Sequence, residues 1–217
     1  MENTGSISGI KNIRRIKRHL LLLLSVCSLL TACGGDDVSL SPLPPGTTVV
    51  AFGDSLTAGY GAGPGQSYPE VLAELAVLDI VNAGISGEVS AAGLQRLPSV
   101  LAEYRPALVI LCHAGNDLLR STGLAAAKAN LLAMINQIHA SGAQVVLLGV
   151  PQPGLLLSTA DFYQEIAEET AVAYLPDTMT DVLSQRSLRS DAAHPNAAGY
   201  RLVAEEVHGF LLDAGAL

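Results

Sequence analysis

Four short stretches of this 217-residue chain carry the residue types that acyl transfer requires. They are Gly53-Asp54-Ser55-Leu56, Gly87, Gly115-Asn116-Asp117, and Asp191 with His194 three residues later. A serine hydroxyl is a weak nucleophile, so an imidazole must take its proton. A carboxylate must fix the tautomer of that imidazole and stabilise its cation. Hydrogen-bond donors must already be aimed at the oxygen that becomes negative. Ser55, His194 and Asp191 are of the types that fill the first three roles, and the Ser55 N–H, the Gly87 N–H and the Asn116 amide can fill the last. Taken singly, each stretch has a plainer reading. Gly-Asp-Ser and Asn are turn formers, Gly87 can serve for positive φ, and His194 can be a surface residue ahead of a helix. Asp54 and Asp117 read as structural; Asp54 suits a strand-to-helix turn fixed through backbone hydrogen bonds.

These residues do chemistry only if the chain brings them together. Thr48–Phe52, Asp79–Asn82, Leu108–Cys112 and Val145–Val150 read as short buried strands, with Ala171–Leu175 as a fifth. Ser67–Val77, Ser90–Tyr104, Leu124–Ala140, Phe162–Thr170 and Ala197–Leu212 show helical spacing. Strand alternating with helix predicts an α/β fold, a parallel sheet covered on both faces. Such folds work outside the carboxyl ends of their strands. Ser55, Gly87 and Asn116 each follow one of the first three strands, which predicts one shared edge. Pro151–Leu157 follows the fourth strand at that edge. Its Leu155, Leu156 and Leu157 are candidates for lining an acyl groove, or for covering the core.

Other chemistries find less support. Ser86 is a rival nucleophile, but Gly84-Ile85-Ser86-Gly87-Glu88 lacks the last glycine of an α/β-hydrolase elbow. No Cys/His pair has zinc-finger spacing, and Asp36-Asp37 and Glu168-Glu169 read as solvated tether and helix face, so no metal and no cofactor is expected. In the glycine-rich run Gly59–Gly65, Pro64 sits where a dinucleotide loop needs its third glycine, and no Gly-Lys-Ser/Thr phosphate loop occurs. His139 and His208 fall in helical patterns.

The amino end reads as a targeting segment. Lys11, Arg14, Arg15, Lys17 and Arg18 precede the apolar run Leu20–Leu30, which is shorter than the roughly 20 residues of a comfortable membrane span. Leu30-Thr31-Ala32-Cys33 resembles the lipobox of bacterial lipoproteins. That resemblance implies a signal peptide over 1–32, a lipid on Cys33 as the membrane partner, and a place in the bacterial cell envelope. Gly34 after the cysteine favours the periplasmic face of the outer membrane. The Pro/Gly/Ser/Asp-rich remainder of 33–46 is expected to be a flexible tether, leaving 47–217 as the working domain. Removal of 1–32 leaves 7 basic and 19 acidic residues of the original 12 and 20, a net charge of 7 − 19 = −12. Nucleic acid is excluded as a partner, because its phosphates need Lys/Arg neutralisation. Cys112 would be the one unmodified cysteine, so no internal disulfide is expected and the fold must rest on its core.

Together, Gly53-Asp54-Ser55-Leu56, Gly87, Gly115-Asn116-Asp117 and Asp191-x-x-His194 resemble the four blocks of the GDSL, or SGNH, hydrolase family, over roughly residues 48 to 212. The wider text, "GDSLTAGYG", "NAGISGE" and "GLQRLP", is most similar to its bacterial branch of acyl-CoA thioesterase I, lysophospholipase and arylesterases. The resemblance implies a three-layer α/β/α sandwich on a five-stranded, flavodoxin-like parallel sheet. It implies Ser55 as nucleophile, His194 as base, Asp191 as its orienting acid, and Ser55, Gly87 and Asn116 as oxyanion donors. It also implies a small-molecule acyl ester substrate, with the loop after the fourth strand reading the acyl chain. One departure is His113-Ala114 where relatives often have other residues before Gly-Asn-Asp. Two further readings stay open: removal of acetyl groups from polysaccharide or cell-wall sugar, and a non-catalytic envelope lipoprotein.

Overall fold

The computed structural model describes Met1 and residues 39–217, apart from Thr122 and Leu155. Cys33 and the expected signal peptide lie outside the described residues. Five strands form one parallel sheet: β1 (Thr48–Gly53), β2 (Asp79–Gly84), β3 (Leu108–Cys112), β4 (Gln144–Leu148) and β7 (Ala173–Leu175), in the order β2-β1-β3-β4-β7. This is the flavodoxin-like order, and it reverses direction between β1 and β3. Every residue of β3, and all of β1 beyond Thr48, is buried. A strand covered on both faces needs such an unbroken apolar run, which is why Val49–Phe52 and Leu108–Cys112 carry no alternation.

Helices α2 (Tyr68–Leu75), α3 (Ser90–Tyr104), α5 (Leu124–Ala140), α6 (Phe162–Thr170) and α8 (Ala197–Asp213) supply the cover, with the shorter α1 (Ser55–Ala58), α4 (Gly115–Arg120) and α7 (Thr178–Ser184). α2 and α7 pack on α8, while α3 and α6 pack on α5, giving the helical layers on either side of the sheet. Ser67 starts α2 with a reciprocal capping box, its side chain on the Glu70 N–H and the Glu70 carboxylate on the Ser67 N–H. The register levels the strand ends: Gly53 lies beside Gly84 of β2 and Cys112 of β3. Residues 54–55, 85–87 and 113–116 therefore leave the sheet side by side.

Three expectations need correction. The tether does not run free as far as Gly46. Leu40 and Leu43 are buried in the core, and their N–H groups donate to the Ala214 and Ala216 carbonyls at 2.9 and 2.8 Å. The Gly46 N–H donates to the Val77 carbonyl at 2.9 Å, and the Gln144 amide donates to the Ser41 carbonyl at 3.1 Å. Two leucines three residues apart need cover from water, whatever prolines surround them. Second, the segment after β4 is not plain loop. It contains a two-stranded antiparallel hairpin of β5 (Pro151–Gln152) and β6 (Ser158–Thr159). The fifth sheet strand is also shorter than expected, because Ala171 turns the chain at φ +52°.

Candidate active site

Ser55 is the first residue of α1, immediately beyond β1. Asp54 caps that turn, as its position suggested. Its Oδ1 accepts the Leu56 N–H at 3.1 Å and its Oδ2 accepts the Gly115 N–H at 3.0 Å. One buried carboxylate thus ties the end of β1 to the end of β3. Burial pushes the Asp54 carboxyl above its ordinary value, against the pull of His113 and these two N–H groups.

His194 arrives from the other end of the chain, on the turn before α8. Ser55 Oγ lies 3.0 Å from His194 Nε2, and His194 Nδ1 lies 2.9 Å from both Asp191 carboxylate oxygens. Asp191 Oδ1 also accepts the Ala193 N–H at 2.7 Å and the His194 N–H at 2.9 Å. Burial pushes the Asp191 carboxyl up, but these N–H groups and the imidazole outweigh it and hold it below the usual carboxylate range. The turn itself is pinned, since the Ser190 N–H donates to the His194 carbonyl at 2.9 Å and Asn196 caps α8. A serine, an imidazole and a carboxylate in this chain of hydrogen bonds can pass a proton from hydroxyl to ring while the carboxylate balances the new charge.

Sequence reasoning missed the support on the other side of the imidazole. The Tyr60 ring lies 4.5 Å from the His194 ring, and the Tyr60 carbonyl accepts the Tyr200 hydroxyl at 2.9 Å. A Cβ on neighbouring Gly61 would come within 2.1 Å of Ser190 Oγ. The glycine-rich run after Ser55 thus packs the first turn against the last. Its signal was present in Gly59-Tyr60-Gly61, without anything to name the partner.

Beside the Ser55 N–H, the other two expected donors sit on adjacent loops. Gly87 takes φ +81°, and among the described residues nothing accepts its N–H. Asn116 Nδ2 donates one hydrogen to the Glu88 carbonyl at 3.0 Å, leaving the other for a ligand. Asp117 is structural, accepting the Ser90 N–H and hydroxyl, both at 2.8 Å.

A cleft of about 390 Å³ opens over Ser55, Asn116 and His194. Its volume lies within the range of small-molecule sites. Leu119, Val150, Pro153 and Leu157 make its apolar wall. Of the leucines expected there, Leu157 is placed on the cleft. Leu156 is 83% exposed and outside the lining, and Leu155 lies outside the described residues. The hairpin explains the difference, since β6 draws residue 157 inward and leaves 156 at the tip. Arg189, which the sequence did not single out, also lines the cleft and donates to the Leu183 carbonyl at 3.2 Å. Among the described residues no cluster of three His, Cys, Asp or Glu is placed to hold a metal ion.

The sequence pattern of the GDSL-like lipase/acylhydrolase family matches residues 51–202, a span that contains every residue of this cluster. The chain belongs to that family. Relatives of the GDSL-like group include esterase TesA of Pseudomonas aeruginosa, 33% identical over 86% of this chain and 94% of that protein. The thioesterase 1/protease 1/lysophospholipase L1 of Escherichia coli is 31% identical over 73% of this chain and 80% of its own length. Among solved structures, the psychrotrophic esterase EstA of a Pseudoalteromonas species superposes with a TM-score of 0.69 at 26% identity. It covers 77% of this chain and 97% of that one.

Proposed function

We propose that this ester hydrolase works through Ser55, His194 and Asp191 on acyl esters of short to medium chain length. Ser55 Oγ attacks the carbonyl carbon as its proton passes to His194 Nε2. The carbonyl oxygen, now negative, takes hydrogen bonds from the Ser55 N–H, the Gly87 N–H and the Asn116 amide. The tetrahedral centre collapses, His194 returns the proton to the leaving alcohol or thiol, and the acyl group stays on Ser55. Water then attacks by the same route, with His194 as base, and releases the acid.

The observation that carries this reading is the 3.0 Å contact between Ser55 Oγ and His194 Nε2, on a ring whose other nitrogen faces Asp191 at 2.9 Å. The names of the relatives add to it: esterase, arylesterase, thioesterase and lysophospholipase. Asn116→Ala tests the donor role. It should lower kcat about 100- to 1,000-fold, as removal of one oxyanion donor typically does. Near-full turnover in a folded variant would remove Asn116 from the scheme.

For the substrate, the apolar wall supports an acyl chain over a polar sugar ester. Leu157→Ser should lower kcat/KM for butyrate and hexanoate p-nitrophenyl esters about tenfold more than for acetate, because each buried CH₂ is worth about 0.8 kcal/mol. An unchanged chain-length profile would put the acyl chain elsewhere. A lipid anchor on Cys33 and a place at the periplasmic face of the outer membrane belong to the same proposal. Their support is the basic-then-apolar amino end followed by Leu30-Thr31-Ala32-Cys33.

A further inference from the structure

We propose that His113 is a positioning residue that sets the spacing of the two loops carrying the oxyanion donors. The proposal rests on the reading of Gly87 and Asn116 as those donors. His113 follows β3 and is wholly buried. Its Nδ1 accepts the Ala114 N–H at 2.7 Å, so the ring hydrogen sits on Nε2 and is donated to Glu88 Oε2 at 3.1 Å. One ring therefore holds the backbone of the Asn116 loop with one nitrogen and a side chain of the Gly87 loop with the other.

Each end of this brace has a physical need for it. Ala114 has φ +78°, the left-handed region that a residue with a Cβ enters only at a cost. That turn starts α4 and delivers Asn116, and the bond from its N–H to Nδ1 helps to hold it. At the other end, Arg96 donates to Glu88 through Nε at 2.9 Å and a terminal nitrogen at 2.7 Å. Burial pushes the Glu88 carboxyl up, but His113 and Arg96 outweigh this and bring it down to about 2, so it stays an acceptor for His113. The Glu88 carbonyl, in the same residue, is the one that holds Asn116 Nδ2. Arg120 closes the far side with a 3.2 Å bond to the Gly87 carbonyl. The Tyr163 hydroxyl fixes the His113 carbonyl at 2.6 Å. The ring also has a made space: a Cβ on Gly93 of α3 would lie 2.3 Å from His113 Nε2.

Because the oxyanion forms only on attack and is absent from the bound ester, a shift of its donors lowers kcat and spares KM. The amide of Gln reaches the place of Nε2, and that of Asn the place of Nδ1, so each conservative variant keeps one half of the brace. His113→Gln and His113→Asn should each lower kcat on p-nitrophenyl butyrate about 10- to 100-fold, with KM within about twofold, as small misplacements do. Ala114→Gly, which removes the need to hold a left-handed alanine, should restore kcat in the His113→Gln background and not in His113→Asn. In an Asn116→Ala background the His113→Gln loss should shrink. Gly93→Ala, which displaces the ring without removing a polar group, is a second route to the same loss if a His113 variant does not fold. Full kcat in folded His113 variants, or in Gly93→Ala, overturns the proposal, as does a His113→Gln loss that Ala114→Gly fails to rescue or that adds fully to Asn116→Ala. If Asn116→Ala itself keeps full kcat, the donor reading has failed first, and that outcome is distinguished by the single variant alone.

Discussion

Ser55→Ala is expected to lower kcat on p-nitrophenyl butyrate about a million-fold, with the protein still folded. Loss of the nucleophile in a serine hydrolase has that order of effect, because nucleophile and base act as one unit. The fold should tolerate the change. The cap on α1 comes from Asp54, whose carboxylate holds the Leu56 and Gly115 N–H groups, and among the described residues Ser55 Oγ hydrogen-bonds to His194 alone, at 3.0 Å. His194→Ala should cost nearly as much, and the double variant little more than either single one. A fluorophosphonate supplies an independent reading. Its phosphorus bonds to Oγ as fluoride leaves and the proton passes to His194, so a phosphonylated peptide containing Ser55 should appear by mass spectrometry. Ser55→Ala should lose that adduct. An adduct that persists on Ser86, or turnover within tenfold of wild type, would sink the assignment.

The site was legible in the sequence to the extent that its residues follow strands. Val49–Phe52 and Leu108–Cys112 are buried on both faces, so their apolar runs are unbroken, and the polar residues after them fall at one edge by topology. Asp191 and His194 were legible from a three-residue spacing that a single turn satisfies. What was not legible is whatever depends on a partner distant in sequence. Nothing around His113 points to Glu88, 25 residues away, or to the space left by Gly93. Tyr60 gave no sign that its ring meets His194, 134 residues later by number. Composition also misled. The prolines and serines of 39–46 suggested loose chain, while Leu40 and Leu43 decided the outcome by burial. Three leucines in a row suggested groove lining or core cover alike, while a two-residue strand pairing sorted Leu157 from Leu156.

The same dependence on local geometry governs the second large effect, that of Asp191→Asn, expected to lower kcat about 1,000- to 10,000-fold. Asp191 Oδ1 accepts the Ala193 and His194 N–H groups, and an amide oxygen in that place would accept them as well. The turn should therefore survive, and the melting temperature should move little. The amide nitrogen then falls at the Oδ2 position, 2.9 Å from His194 Nδ1. There it donates to Nδ1 and favours the tautomer with its hydrogen on Nε2, which cannot take the Ser55 proton. The charge that balances the imidazolium is lost in the same change. The Asp191 side chain is 48% exposed, so water competes for both effects and the loss belongs at the lower end of the range. In the wild type the carboxyl lies below its usual range, and so remains charged as pH falls toward the point where an ordinary carboxylate takes a proton. Asp191 should then add no proton of its own to the acid limb of kcat/KM, whose slope should not exceed one on logarithmic axes. A limb of slope two would mean that Asp191 takes up a proton in that range, and a folded Asp191→Asn variant within tenfold of wild type would mean that it does not orient the ring.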